Sequence, residues 1–330
     1  MLRLGLCCLF KEAPIRFRAA TARVMKQYER GEQLARLSAL CLENCRSLVA
    51  ALDEVRRLGF GAFRVSSPLF PLYTHPEVGY RLDDLPQAAE IVATLARVKS
   101  RKSRYRLRLS FHPDQFTLLS SPRPEVTAAS LQELDYQALL AEQIDADVIN
   151  LHAGGVYGDK RSALARLEEQ VVALPEPIRS RLTLENDDVS YTVADLLPLC
   201  ERLSLPLVYD VHHHRCNPDG LTVAEATEAC AQSWRRVGRE PYLHLSSPKF
   251  GWHDKPKPHA DFIDVADFPA EWAGLDATID VEAKAKEVAV LQLMQELRLP
   301  RWETAGCSAD LSEPYRAGSG QREGFLPASD

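Results

Sequence analysis

Six short apolar runs in this chain each end in a side chain that can hold a cation. His112 closes LRLSFH, His152 closes VINLH and Glu185 closes LTLE. Asp210 lies in LPLVYD with His213 three residues on, His244 sits in YLHLSS, and Glu282 ends TIDVE. Taken singly, each could be a structural residue satisfied by hydrogen bonds. Together they are far better explained by cations, because buried carboxylates without partners are costly. Imidazoles mixed with carboxylates suit Mn²⁺ or Zn²⁺, whereas Mg²⁺ favours fewer histidines. Glu185 is central in the set and could bridge two ions. Several ions about 4 Å apart would make a phosphoryl-transfer site, with water activated and the attacking and leaving oxygens stabilised. No GxSxG elbow supports acyl transfer instead.

Other histidines carry weaker signals. In His212–His213–His214 the Asp-x-x-His spacing selects His213, leaving His212 and His214 as supporting or surface residues. His253 reads as solvent-facing, and His259 in KPKPHADF reads in isolation as a loop residue. His75, in YTHPEV, is either a site residue or a structural loop residue.

These side chains need elements that bring them together. Eight β-rich runs are expected at Leu2–Cys7, Gly61–Ser66, Arg106–Phe111, Asp147–His152, Arg181–Glu185, Leu205–Val211, Tyr242–Ser246 and Thr278–Glu282. Several lack clean alternation, as expected for strands covered on both faces. Amphipathic stretches such as SLVAALDEVRRLG and SLQELDYQALLAEQI lie between them, with Gly59 and Gly61 as helix-end signals. The rhythm predicts a single-domain (β/α)₈ TIM barrel over residues 1–300, whose strand ends meet at one mouth. The rival, a doubly wound sheet, lacks a GxGxxG after the first strand. From residue 301 to 330 the chain turns polar and rich in Gly, Ser and Pro, which reads as a flexible tail.

Composition narrows the setting. No apolar run approaches a membrane span, and MLRLGLCCLF reads as a buried strand rather than a leader. Eight cysteines without a CxxC pair read as reduced thiols of a cytoplasmic protein. A net charge of −6 advertises no global affinity for nucleic acid, although a local basic face would suffice.

At these residues the sequence resembles the UV damage endonuclease family. The matching segments are RVSSPLFPLYTHPEV, LSFHPDQF, INLHAGG with YGDK, LTLENDD, VYDVHHH, LHLSSPK with HADF, and DVEAKAKE, in family order from about residue 2 to 290. The resemblance implies an enzyme that nicks damaged double-stranded DNA immediately 5′ to cyclobutane dimers and 6-4 photoproducts, and also at abasic sites. It leaves a 3′-hydroxyl and a 5′-phosphate. It also implies three divalent ions, Mn²⁺ first, with Zn²⁺ and Mg²⁺ as alternatives. One ion would take His112, His152 and Glu185. A second would share Glu185 and add Asp210, His244 and Glu282, and a third would take His213 and His259. His75 falls on another family site histidine, placing it with Glu185 and Glu282 among the catalytic candidates. Gln115 and Phe116 match a pair that probes the strand opposite the lesion, where a planar ring can wedge into a weakened stack. Without that motif Phe116 reads as core. Two departures matter: Leu6 stands where some members have Tyr, and Tyr242 where some have a Lys. No modified lysine is therefore expected.

Phosphate contacts are expected from Arg16, Arg18, Lys160, Lys249, Lys255 and Lys257 on mouth loops. The basic run Lys99–Arg108 precedes a strand, which puts it near the barrel bottom as a solvated face. The expectation is a monomeric, nucleoid-associated repair enzyme. Its rivals are an abasic-site endonuclease without photoproduct activity, a metal-dependent sugar isomerase on the same barrel, and a non-catalytic damage-binding protein.

Overall fold

The computed structural model describes residues 1–254 and 256–302. Lys255 and the expected tail beyond residue 302 lie outside the described residues. The strands β1 (Arg3–Cys7), β2 (Ala62–Val65), β3 (Arg108–Phe111), β4 (Val148–His152), β5 (Leu182–Glu185), β6 (Leu207–Asp210), β7 (Tyr242–Leu245) and β8 (Thr278–Val281) close into one parallel barrel in chain order. Pairing of β8 with β1 seals the ring. The main outer helices are Arg30–Leu58, Ala88–Arg104, Pro124–Ile144, Lys160–Ala173, Val193–Leu203, Val223–Arg236 and Glu287–Glu296.

The strands are buried on both faces, as expected, and the two faces differ in chemistry. Leu4, Phe63, Leu109, Ile149, Leu184, Leu207, Leu243 and Ile279 belong to the main apolar core under the helices. Each such side chain contributes about 1.5–3 kcal/mol by leaving water. The residues between them point into the lumen and are mostly polar: Arg64, Arg108, Ser110, Asn150, Thr183, Glu185, Asp210, His244, Thr278 and Asp280, all buried. The lumen is therefore a hydrogen-bonded interior, plugged by a small separate cluster of Val148, Val208, Trp234 and Tyr242. Gly5 of β1 leaves room for the Asp280 carboxylate, since a Cβ there would collide with its Oδ1.

Gly59 ends its helix in the left-handed conformation at φ 81°. Gly61 ends no helix; its amide donates to Leu4 O at 3.0 Å as the chain enters β2. The barrel extends past residue 300, because buried Trp302 donates its amide to Gly59 O at 2.8 Å. Its ring also lies 3.9 Å below the Arg3 guanidinium. Seven described cysteines are free thiols, five of them buried, and Cys307 lies outside the described residues. Among the described residues no helix is long and apolar enough to cross a membrane.

Candidate active site

The site grows from the inward-facing ends of β3 to β8. Parallel pairing sets His152 beside Glu185 and Asp210 beside His244. Glu185 is 1% exposed, and its two oxygens meet four imidazoles. His213 Nδ1 and His244 Nδ1 stand 3.3 and 3.1 Å from Oε1. His112 Nε2 and His152 Nε2 stand 3.1 and 4.0 Å from Oε2. Asn150 Nδ2, two residues before His152 on β4, donates to Oε2 and is itself held by Thr183 at 2.8 Å. Burial alone would raise the Glu185 pKa. The charges of His244 and His152 and the hydrogen bonds from His112 and His213 outweigh that and hold its carboxyl well below the usual range.

The chain turns sharply from β6 into the short helix Val211–Cys216. Asp210 caps that helix, its Oδ1 accepting from the His213 amide at 2.8 Å. The Asp-x-x-His spacing is thus a helix cap, and it directs His213 back over Glu185. His213 Nδ1 also lies 3.0 Å from Asn186 O.

Glu282, just past β8, faces the same cluster, with Oε1 3.5 Å from His244 Nδ1 and Oε2 3.6 Å from His259 Nδ1. Its main partner is a residue that the sequence pattern did not single out. Arg64 of β2, buried, donates to Glu282 Oε1 at 2.6 Å, Asp280 Oδ2 at 2.9 Å and His244 Nε2 at 2.8 Å. Burial raises the Glu282 carboxyl, but the Arg64 charge and His244 bring it far below its ordinary value. Tyr242 donates its hydroxyl to Asp280 Oδ1 at 2.9 Å. A signal existed for Tyr242, though not for Arg64, whose strand ends in no ligand candidate. The residue two positions before each strand-end ligand faces the same lumen, which picks out Ser110, Asn150, Thr183, Tyr242 and Asp280.

Among the described residues, two tight donor groups could hold a cation: His112, Glu185 and His244, and Glu185, Asp210 and His213. Glu185 belongs to both, and His244 Nδ1 also lies 3.9 Å from Asp210 Oδ2 and 3.5 Å from Glu282 Oε1. His112 Nδ1, Asp210 Oδ2 and His244 Nδ1 are buried without a hydrogen-bond partner. A shared carboxylate among imidazoles, with buried donor atoms left over, is chemistry that fits divalent cations.

Of the two alternatives for His212 and His214, supporting or surface, burial removes the second. His212 is fully buried, with neither ring nitrogen hydrogen-bonded and its ring 5.1 Å from those of Trp252 and His259. His214 is buried between the Tyr209 hydroxyl at 2.6 Å and Asp219 Oδ1 at 3.2 Å, a structural tie. His253 is exposed. His75 stays apart: its Nδ1 accepts the Glu77 and Val78 amides at 3.1 and 3.3 Å, and no hydrogen bond, ion pair or ring contact joins it to the cluster.

The family model described as UV-endonuclease UvdE matches residues 2–311. The chain belongs to that family. It is similar to the UV DNA damage endonuclease of Bacillus velezensis, at 34% identity over 302 residues, covering 88% of this chain and 91% of that protein. It is also 36% identical over 283 residues to the UV-damage endonuclease of Neurospora crassa, covering 80% of this chain and 42% of that longer protein. Among solved structures, SacUVDE superposes with a TM-score of 0.79 at 25% identity, covering 90% of this chain and 99% of that one. Endonuclease IV from Thermus thermophilus, at 15% identity and a TM-score of 0.56, covering 90% and 99%, shares the fold.

This UvdE-family chain presents Gln115 and Phe116 at the corner of a turn after β3, closed by Thr117 N to Asp114 O at 2.9 Å. Phe116 is 73% exposed and is not a core residue. Most expected phosphate contacts already have partners. Lys160 reaches Asp195 at 2.7 Å, Lys257 reaches Asp188 O at 2.9 Å, and Arg18 reaches Glu43 at 2.8 Å. Arg16 caps the carbonyls of Ala13 and Ile15 at 2.6 and 2.8 Å. Lys249 has no acidic partner among the described residues; its Nζ stands 5.2 Å from the Phe250 ring. At the other end, Arg101 and Lys102 of the basic run pair with Asp53 and Asp145.

Proposed function

We propose that this chain is a divalent-cation-dependent repair endonuclease that nicks duplex DNA immediately 5′ to UV photoproducts and at abasic sites. The observation that carries the reading is Glu185, a buried carboxylate ringed by four histidines in a UvdE-family barrel. Three ions, Mn²⁺ first and Zn²⁺ or Mg²⁺ as alternatives, would be held by His112, His152 and Glu185; by Glu185, Asp210, His244 and Glu282; and by His213 and His259. Bound there, they would supply positive charge for the scissile phosphate and acidify water at neutral pH.

The chain's own residues do the positioning. Asn150 fixes the Glu185 carboxylate through Oε2, and the Asp210 cap aims His213. Arg64 orients Glu282 and His244 together. Glu185 and Glu282 are the catalytic carboxylates, and His75 an auxiliary group brought in by substrate. Gln115 and Phe116 probe the duplex opposite the lesion, so damage is read through weakened stacking rather than base edges. Lys160, Lys249, Lys257 and Arg16 take phosphates, the first, third and fourth by exchanging their present partners. The enzyme acts as a monomer on the nucleoid in the cytoplasm.

The test is a duplex with one cyclobutane dimer, incubated with purified protein and Mn²⁺, and the nick mapped. A single nick immediately 5′ to the dimer is expected. Nicking only at an abasic site points to the abasic enzyme, and no nick in either duplex overturns the reading.

A further inference from the structure

The turn that carries Gln115 and Phe116 has a counterpart. After β7, Gly251 N returns to Pro248 O at 3.3 Å, closing a turn with Lys249 and Phe250 at its corners. Both turns pair a polar residue with phenylalanine. Both leave the ring in solvent, Phe116 at 73% and Phe250 at 51%. Both follow a ligand histidine closely, His112 in one case and His244 in the other. In the closed ring of eight strands, β3 and β7 stand four apart and so face each other across the mouth.

The second turn is anchored to the site. Pro248 bridges His259, Lys249 N donates to Pro258 O at 2.7 Å, and Ala260 N donates to Ser247 O at 2.8 Å. Gly251, at φ 79°, provides the left-handed corner that lets the tip turn back. Lone exposed phenylalanines are ordinary. Here all four exposed aromatic side chains among the described residues, Phe116, Tyr157, Phe250 and Phe262, follow strand C-termini, at the mouth.

We infer that Lys249 and Phe250 form a second wedge. Phe250 stacks on a base face exposed by the lesion, on the side of the cation ligands opposite Phe116, and Lys249 takes the adjoining phosphate. A duplex centred on Glu185 is then gripped from two sides, and only one with weakened stacking admits both rings. This inference rests on the endonuclease reading.

The test uses the full chain with Mn²⁺ in single-turnover nicking of a duplex bearing one cyclobutane dimer, with an undamaged duplex as competitor. Phe250→Ala should raise the half-saturating protein concentration about tenfold, the scale of one base–aromatic stack, with the maximal rate and the undamaged competitor's affinity unchanged. Phe250→Tyr, which keeps the ring, should behave as the parent. Lys249→Ala should weaken both duplexes alike and reduce the salt dependence by about one phosphate. A half-saturation unchanged in Phe250→Ala, beside normal nicking by the parent, overturns this inference alone. A parent that nicks neither damaged nor abasic duplex overturns both readings.

Discussion

At the floor of the barrel, Arg108 gives its Nε to Asp147 Oδ2 at 2.9 Å and another nitrogen to Glu240 O at 2.7 Å. Glu240 in turn accepts from Arg3 at 2.9 Å and from Thr278 at 2.7 Å. Each guanidinium there finds an acceptor and each ion pair is internal. At the mouth, Glu185 crowds against imidazoles while His112 Nδ1, Asp210 Oδ2 and His244 Nδ1 make no hydrogen bond. Both ends bury charge in the same lumen. The floor pairs its guanidinium groups and leaves over scattered atoms such as Asp147 Oδ1 and Trp302 Nε1, whereas the mouth leaves over ligand atoms clustered round one carboxylate, the division expected when one end stabilises and the other reacts. Arg64 sits between the two regimes, paired like a floor residue with Asp280 but reaching the mouth through Glu282 and His244.

Four substitutions would sharpen or break this contrast. Glu185→Ala has the largest expected effect: nicking of a dimer-bearing duplex falls by about a thousandfold or more. Damaged-duplex binding, read by anisotropy, largely persists. Full retained activity would remove Glu185 from its bridging place. Arg108→Met at the floor should behave in the opposite way, costing about 1–3 kcal/mol in chemical denaturation because it takes the donor from the Glu240 and Pro241 carbonyls and from half-buried Asp147. Nicking per folded molecule should stay unchanged, and a catalytic defect without a stability loss would dissolve the distinction between the two ends.

Glu287 tests a tie beside the mouth. Its carboxylate accepts the Lys11, Glu12 and Ala13 amides at 2.7, 2.7 and 3.0 Å, holding the loop that carries Arg16. Burial raises its pKa, but those amides prevail and leave it depressed. Glu287→Gln should cost about 1–3 kcal/mol at neutral pH. A depressed carboxyl stabilises above its unfolded pKa of about 4.3 and loses that contribution as pH falls through the folded value. The gap between parent and variant should therefore close below about pH 4, and a gap constant with pH would rule out the charge as its source. The smallest effect is expected for Phe116→Ala: roughly a five- to tenfold loss of preference for damaged over undamaged duplex. Bound metal, measured by elemental analysis, should be unchanged, and intact discrimination would deny the ring its probing role.

The barrel was legible because eight apolar runs each precede a helical one, and the open-sheet rival lacked its glycine-rich first turn. The ligand row was legible because strand ends in a parallel barrel share one mouth, so residues from His112 to Glu282 converge without any contact being known. Phe116 was harder, since a phenylalanine after a strand reads as core until a turn lifts it into solvent. The lumen row was overlooked for a different reason. Runs of four or five residues are too short to distinguish two-sided burial from alternation, so Arg64, Asn150 and Asp280 passed as incidental polar residues. His212 and His214 stayed open between supporting and surface roles because three consecutive histidines look like a polar surface, whereas one turn of helix buries the first, aims the second at Glu185 and ties the third to Asp219.

By itself, then, the amino-acid order determined the alternation of strand and helix and the choice of metal-capable side chains at strand ends, because period and residue type are local properties. Tertiary structure alone decided which donors share Glu185, that Arg64 closes on Glu282 and His244, and that the Phe116 and Phe250 turns face each other. Those are relations across the ring, set by strand register and by which groups compete for the same buried oxygen, and neither is written in any single stretch of the chain.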